Sequence, residues 1–99
     1  MPLGKIGPGK IALLEAIVQA GSIAGAARAL GMSYPRAWGL VEATDKTLGT
    51  AAVTRAPGGQ RGGGAELTAA GRALILRYRE VEAAAQREAG PLIAINGGL

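Results

Sequence analysis

The feature that most constrains the fold of this chain is a pair of short helical patterns joined by a tight turn in residues 21–49. Ser22 can cap the first helix through its hydroxyl group, and apolar residues then follow at helical spacing. These residues are Ile23, Ala26, Ala27 and Leu30. Gly31 suits a left-handed helix end, and a connection of about three residues leads to the next helix. Such a short turn makes the two helices cross steeply, which favours small side chains at the crossing.

The second helix is predicted over residues 33–48, with Ser33 as its cap and Pro35 in its first turn. The spacing of its apolar and small residues predicts an inward-facing stripe. This stripe consists of Ala37, Val41, Thr44 and Leu48. Tyr34, Trp38 and Glu42 are expected to point elsewhere. Two helices in this arrangement form a helix-turn-helix, with which small proteins commonly read the DNA major groove.

The flanking segments predict a mainly α-helical domain with one small β-hairpin. Another helix is expected over residues 9–20, with an apolar side made of Ile11, Leu14, Ile17 and Val18. Residues 51–55 and 65–67 indicate two short strands around a glycine-rich loop, at 56–64. This hairpin has the layout of the wing in a winged helix-turn-helix.

Thr68 can cap a long helix, predicted over 68–89. One of its stripes is predicted to form a dimerisation surface, since a domain this small cannot cover so long a helix. The stripe consists of Leu74, Tyr78, Val81 and Ala85. Residues 1–90 are therefore expected to form one winged helix-turn-helix domain. Residues 91–99 form a short tail beginning with a helix-breaking proline, and the sequence leaves open a strand, a dimer-stabilising arm or disorder.

The composition excludes several classes of protein and site. The 99 residues suffice for one small domain without a second, ligand-sensing one. The chain has no cysteine, no histidine and no clustered carboxylates, so we expect no metal site, no cofactor and no enzymatic activity. The glycine-rich PGGQRGGG lacks the spacing of a nucleotide-phosphate loop. No signal peptide or membrane span is predicted, which favours a cytoplasmic protein with no membrane partner.

The net charge of +4 is unevenly placed along the chain. Residues 1–64 contain seven Lys or Arg and three acidic residues, whereas residues 65–99 contain four of each kind. The whole excess therefore lies in the part that contains the helix-turn-helix and the glycine-rich loop. A basic bias in this position favours a polyanionic partner such as double-stranded DNA.

The residues expected to contact DNA lie at the helix-turn-helix and in the wing. Arg36 is in the first turn of the second helix, where a guanidinium can bind guanine O6 and N7. Arginines in the wing suit the DNA backbone or a narrow minor groove, and the neighbouring glycines allow close approach. The complete set is Ser22, Arg28, Ser33, Tyr34, Pro35, Arg36, Trp38, Arg55, Gln60 and Arg61.

Several of these residues have a structural role as an alternative. Ser22 and Ser33 can be plain helix caps as well as phosphate donors, and Arg28 can be a solvated surface charge. For Trp38, packing over the helix crossing and contact with DNA are both open, whereas DNA contact is favoured for Tyr34. The wing can instead be a flexible linker.

Three stretches carry a family resemblance: KIALLEAI (10–17), GSIAGAARALGMSYPRAW (21–38) and RGGGAELTAAGRALILRYR (61–79). Over about residues 10–79, the chain resembles the N-terminal domain of the ModE family of molybdate-responsive transcription regulators. LysR-type regulators share the general pattern of Gly-Ser, paired alanines and leucine, and are a second resemblance.

The ModE resemblance implies a homodimer that binds a partly palindromic operator. The recognition helix 33–48 would then lie in the major groove, with the wing 56–64 against the backbone or minor groove. Family members that sense molybdate do so through separate C-terminal domains, so no molybdate site is expected in these residues. Gly39, within the recognition helix, and Thr44, at an inward position, depart from the family pattern.

Three functional hypotheses follow. The first is a sequence-specific, homodimeric DNA-binding regulator. The second is a protein-interaction module that pairs with a full-length regulator through the long helix. The third is a nucleoid-type DNA binder with little base preference.

Overall fold

The computed structural model describes residues 6–56 and 63–97, in which four helices and one antiparallel hairpin follow one another. The elements are α1 (Pro8–Ala20), α2 (Ile23–Leu30), α3 (Tyr34–Leu48), β1 (Val53–Ala56), β2 (Gly64–Leu67) and α4 (Ala69–Gly97). The predicted mainly α-helical fold with a small hairpin is confirmed. Within the described part of the chain, no helix combines the length and the apolar character needed to cross a membrane.

The first helix, α1, lies at the centre of the domain and contacts α2, α3, α4 and β2. Because neighbours surround α1 over a wide arc, its buried residues include Leu13 as well as Ile11, Leu14 and Ile17. Val18 is predicted on the apolar side of α1, but its side chain is 52% exposed, so this prediction is wrong. Leu30 in the last turn of α2 is likewise 39% exposed, whereas Ile23, Ala26 and Ala27 are buried as predicted.

Glycines end the first three helices and set the directions of the chain between them. Gly21 and Gly31 adopt the left-handed conformation, with φ of 72° and 68°, which side chains other than glycine rarely accept. The Gly21 N–H donates to the Ile17 carbonyl at 2.8 Å, and the Gly31 N–H donates to the Arg28 carbonyl at 3.2 Å. α1, α2 and α3 therefore follow one another with very short connections, as the sequence pattern predicts.

The hairpin is joined to the helices at its base rather than attached loosely. Val53 pairs with Leu67, and Ala56 pairs with Gly64 at the loop end of the ladder. Ala65 and Leu67 are buried, and the Ala65 N–H donates to the Gly21 carbonyl at 2.9 Å. The base of the wing is thereby held against the turn between α1 and α2.

A network of hydrogen bonds connects α3, the hairpin and α4 around Ala52. Its N–H donates to Asp45 Oδ1 at 2.8 Å, and its carbonyl accepts the Thr68 N–H at 2.9 Å. Thr68 caps α4 by accepting the Gly71 N–H at 3.0 Å, and its hydroxyl donates to the Ala51 carbonyl at 2.7 Å. The predicted cap at Thr68 is confirmed, and the same side chain fixes the start of α4 against the loop before the wing.

Helix α4 differs from its predicted form in length. It extends through Pro91 to Gly97, whereas the sequence predicted an end at residue 89 and a separate tail. An interior proline costs about 3 kcal/mol through one lost backbone bond and local crowding, but it does not by itself end a helix. Leu92 and Ala94 beyond it have high helix propensity and favour continuation. The 29 residues of α4 span about 44 Å, well beyond the rest of the domain.

Among the α4 side chains that the structure describes, those of the first turns pack against the domain core. Leu74 is 2% exposed and Tyr78 is half-buried against the core. Leu74 belongs to the predicted dimerisation stripe, and this assignment needs correction because its side chain is already buried in the core of the domain. Further along, Val81 is 43% exposed, Ala85 is exposed, and Leu76 is 65% exposed.

An arginine clamp connects α4 to α1. Arg79 Nε donates to Glu15 Oε2 at 3.2 Å, and its Nη1 donates to Glu82 Oε1 at 2.8 Å. The hydrogen bond to the Glu15 carboxylate, followed by that to Glu82, raises the pKa of Arg79 above its ordinary value. The clamp connects the second turn of α1 to the middle of α4 at the surface of the domain.

Candidate nucleic-acid interface

The two helices of the helix-turn-helix begin at serine caps. Ser22 Oγ accepts the Gly25 N–H at 2.9 Å, and Ser33 Oγ accepts the Arg36 N–H at 3.2 Å. Both serines therefore have the predicted capping role, which leaves each hydroxyl hydrogen free of that bond. The caps fix the first turns of α2 and α3, where backbone N–H groups and partial positive charge are presented at the surface.

The orientation of α3 is set by its buried side. Ala37, Val41 and Thr44 are buried as predicted, and Leu48 is half-buried against the core. Thr44 is accommodated because its hydroxyl donates to the Leu40 carbonyl at 2.7 Å, within the helix. A buried threonine thus leaves no polar atom without a partner, although its position is one that favours apolar side chains.

The opposite side of α3 is a continuous exposed surface. It consists of Pro35, Arg36, Gly39, Glu42 and Lys46. Arg36 and Lys46 supply positive charge, and Glu42 is the one acidic residue among these five. Gly39 lies opposite the buried stripe, and a Cβ built there would have no neighbour within 4 Å. The centre of this surface is therefore free of any side chain that would hold a partner away from the helix.

A stack of side chains joins α3 to the wing. The Arg55 guanidinium on β1 lies over the Trp38 ring, with Cζ 4.8 Å from the ring centroid. Tyr34 meets the same tryptophan edge-on, with centroids 6.3 Å apart and planes at 81°. Trp38 also packs against the core. Packing, one of the two roles that the sequence left open for Trp38, is therefore present, and its contact with DNA stays a prediction.

A cleft of about 140 Å³ lies beside this stack. Its walls come from the start of α2, from α3 and from both strands of the wing. The lining residues are Ile23, Ala24, Tyr34, Trp38, Arg55, Gly63, Gly64 and Ala65. The cleft brings together the aromatic residues of α3 and the cation of the wing, on the side of the domain that carries the predicted DNA-binding residues.

The remaining predicted site residues have separate positions. Arg28 is exposed in the last turn of α2, and the structure places no partner on it among the described residues. Gln60 and Arg61 lie outside the described residues. The contact between Arg55 and Trp38 was not predicted from the sequence, because the residues are 17 positions apart and no local pattern encodes their approach. Among the residues described, no group of acidic or other ligating side chains is arranged for a metal ion.

Comparison with known proteins identifies the family. Residues 9–72 match the model of the bacterial regulatory helix-turn-helix proteins of the lysR family. The chain belongs to this family. The family comprises regulatory proteins rather than enzymes, and its model extends from α1 through the wing to the start of α4.

Among individual proteins, the chain is similar in sequence to proteins of the ModE type. The chain is 49% identical over 79 residues to the molybdenum-pterin-binding protein MopB of Rhodobacter capsulatus, covering 80% of this chain and 29% of that protein. It is 41% identical over 71 residues to the DNA-binding transcriptional dual regulator ModE of Escherichia coli K12, covering 72% and 27%. The resemblance to ModE is confirmed, and the chain spans less than a third of the length of these two relatives.

The solved structures support the same fold. The DNA-binding domain of CbnR, in a crystal structure of its complex with DNA, matches with a TM-score of 0.67 and 30% identity. The match covers 89% of this chain and 95% of that one. The winged helix-turn-helix architecture predicted from the sequence is therefore confirmed.

Proposed function

We propose that this lysR-family chain is the DNA-reading part of a transcription regulator, acting in the cytoplasm on specific duplex sequences. The observation that supports this best is that α3 presents one exposed side, with Arg36 in its first turn. The opposite side of the same helix is buried in the core. A helix held in this way can enter a major groove as a rigid body. The similarity to a DNA-binding domain crystallised with DNA adds independent support.

The residues of this surface have distinct expected roles. Arg36 reads a base edge, because a guanidinium at the start of a recognition helix can bind both acceptors of guanine. Ser22 and Ser33 contact phosphates at the helix starts, where free N–H groups favour anions, and Arg28 contacts a phosphate through its charge from the last turn of α2. Tyr34 and Pro35 contribute apolar contact, for example with a thymine methyl group. Arg55, Gln60 and Arg61 bind the backbone or minor groove from the wing.

We further propose that two copies bind a partly palindromic operator as a homodimer. The exposed residues Val81 and Ala85 on α4 supply an apolar surface, and Leu76 adds to the exposed apolar area of the same helix. A two-fold axis through paired α4 helices would place the recognition helix α3 of each copy on one of two successive half-sites. We propose no molybdate-binding role for the described residues.

The test is a titration of labelled duplexes with the wild-type chain and two arginine variants. Arg36→Ala is expected to relax base preference at one operator position by about 1–3 kcal/mol, because it removes a base contact. Arg61→Ala is expected to weaken all sequences evenly and to lower the salt dependence. Arg87→Ala, an exposed arginine far along α4, is the matched control and should bind as the wild type does. Equal losses for Arg36→Ala on operator and random DNA would contradict its base-reading role.

A second function is favoured by the same exposed apolar residues on α4. A chain that pairs with a full-length regulator through this helix would act as an interaction module. Sedimentation of the chain alone and mixed with a two-domain ModE-type relative separates the two functions. The interaction module is favoured if the chain is monomeric alone, forms mixed dimers with the relative and does not bind DNA at low salt. DNA binding without base preference would indicate a nucleoid-type binder.

A further inference from the structure

We propose that Trp38 is a positioning residue for Arg55: its ring holds the wing arginine in the orientation that meets a DNA phosphate. This inference rests on the proposed DNA-binding function and adds a mechanical coupling between the recognition helix and the wing. The phosphate it assigns to Arg55 belongs to the strand that passes between α3 and the wing. Trp38 then acts on DNA through Arg55 rather than by its own contact.

The geometry at Trp38 supports this role. The distance of 4.8 Å from Arg55 Cζ to the ring centroid is within the range of about 6 Å for a cation–π interaction. The indole ring is held in turn, because it packs against the core and meets Tyr34 at 81°. Arg55 therefore rests on a support that is fixed to the recognition helix.

The stack leaves the binding capacity of Arg55 intact. A guanidinium stacks through its flat face, whereas its five N–H donors lie in the plane and point outward. Among the described residues, Arg55 forms no ion pair that would occupy those donors. It borders the 140 Å³ cleft, whose glycine-lined side at Gly63 and Gly64 carries no side chains. An incoming phosphate can therefore meet a pre-oriented pair of donors, which is the arrangement that arginine uses best.

Pre-orientation has a physical benefit for binding. A free arginine side chain has large rotamer freedom, part of which is lost when it binds a phosphate. Trp38 restricts that freedom before DNA arrives, so a smaller entropy cost remains on binding. The same stack also fixes the start of the wing relative to α3. The contact of α3 with the groove and the contact of the wing with the phosphate are therefore made at a fixed separation along the DNA.

The contact itself is tested in the free protein. Trp38 is the only tryptophan of the chain, so its fluorescence reports this contact directly. Arg55→Ala is expected to shift the emission and to make Trp38 more accessible to acrylamide, whereas the control Arg28→Ala should leave both unchanged. Identical emission and quenching for the wild type and Arg55→Ala would overturn the stack, independently of any DNA binding.

The coupling is tested by a double-mutant cycle in DNA affinity. Trp38→Leu and Arg55→Ala are each expected to weaken binding about three- to tenfold and to lower the salt slope by about one. The double variant should be no weaker than Arg55→Ala alone, within about twofold, because the two residues act as one unit. Trp38→Phe should bind within about threefold of the wild type, since a smaller ring still supports the guanidinium. Unchanged far-ultraviolet circular dichroism identifies the variants that fold normally.

Three outcomes would contradict the proposal in different ways. If the losses of Trp38→Leu and Arg55→Ala multiply in the double variant, the residues contact DNA independently and the coupling is wrong, whereas the proposed function stands. If Trp38→Leu lowers affinity without changing the salt slope, its effect does not pass through a phosphate contact. If the wild-type chain binds no DNA at low salt, the proposed function fails and the coupling fails with it.

Discussion

Gly71 and Gly39 are both helical glycines, yet replacing each by alanine is expected to change stability in opposite directions. A Cβ at Gly71 would lie 3.2 Å from the carbonyl carbon of Ala52 and closer still to its carbonyl oxygen. A Cβ at Gly39 would meet nothing within 4 Å. The same chemical change thus adds a steric conflict at one site and none at the other.

The size of the effect at Gly71 depends on whether Ala52 can move. Its carbonyl accepts the Thr68 N–H and its own N–H donates to Asp45, so a shift would strain two hydrogen bonds. Overpacking of this kind costs about 1–3 kcal/mol, which exceeds the small propensity gain in the first turn of a helix. Gly71→Ala should therefore lower the free energy of unfolding by about 1–3 kcal/mol. Gly39→Ala should raise it by up to about 1 kcal/mol, because alanine favours a helix interior.

Urea and thermal unfolding followed by circular dichroism measure both values. A change of 1 kcal/mol corresponds to a shift in melting temperature of about 4–8 °C for a domain of this size. The expected signature is a lower midpoint for Gly71→Ala and a higher one for Gly39→Ala. If Gly71→Ala is as stable as the wild type, the backbone contact between α4 and Ala52 is not as close as the structure shows. If Gly39→Ala destabilises the domain, that part of α3 has a neighbour within the fold.

The other predictions concern the cap, the clamp and the exposed surface of α4. Thr68→Ala should lower the free energy of unfolding by about 1–2 kcal/mol, since it removes a helix cap, and Thr68→Ser should restore most of the loss in the same thermal assay. Arg79→Ala should reduce stability more at low salt than at high salt, because an exposed ion pair is screened. Because the pKa of Arg79 is raised in the folded state, its contribution is fully present below the ordinary arginine pKa and is lost only as the pH rises through the folded value, so melting curves across the neutral and mildly alkaline range should show no change from this group. Val81→Glu should shift the sedimenting species from dimer to monomer without lowering the melting temperature of the monomer, and an unchanged mass would argue against α4 as the dimer surface.

The parts of the fold that could be predicted from the sequence are those set by nearby residues. Ser22 and Ser33 mark helix starts because a hydroxyl caps the N–H groups three residues ahead. Gly31 marks a helix end because it accepts a left-handed conformation, and the spacing of Ala37 and Val41 identifies the buried side of α3. These signals are local, so no knowledge of the tertiary structure is needed to recognise them.

The parts that could not be predicted depend on contacts between distant segments. Val18 and Leu74 are both aliphatic residues at helical spacing, but Val18 is exposed and Leu74 is buried in the folded domain. The stack of Arg55 on Trp38 brings together a strand and a helix, and its geometry follows from how the hairpin base is held. The continuation of α4 beyond Pro91 shows that a helix-breaking signal has a finite cost that the surrounding residues can offset.

Selection of bound sequences from a pool of random duplexes tests the proposed function of this chain. A homodimeric reader with α3 in the major groove is expected to enrich a two-fold related consensus, with half-site centres about one helical turn apart. The Arg36→Ala variant, selected in parallel, should lose preference at one base pair in each half-site, whereas Arg87→Ala should return the wild-type consensus. If the wild-type chain enriches no sequence while still binding DNA, it is not a sequence-specific reader. If it enriches a single half-site without symmetry, the dimeric arrangement proposed for α4 is wrong.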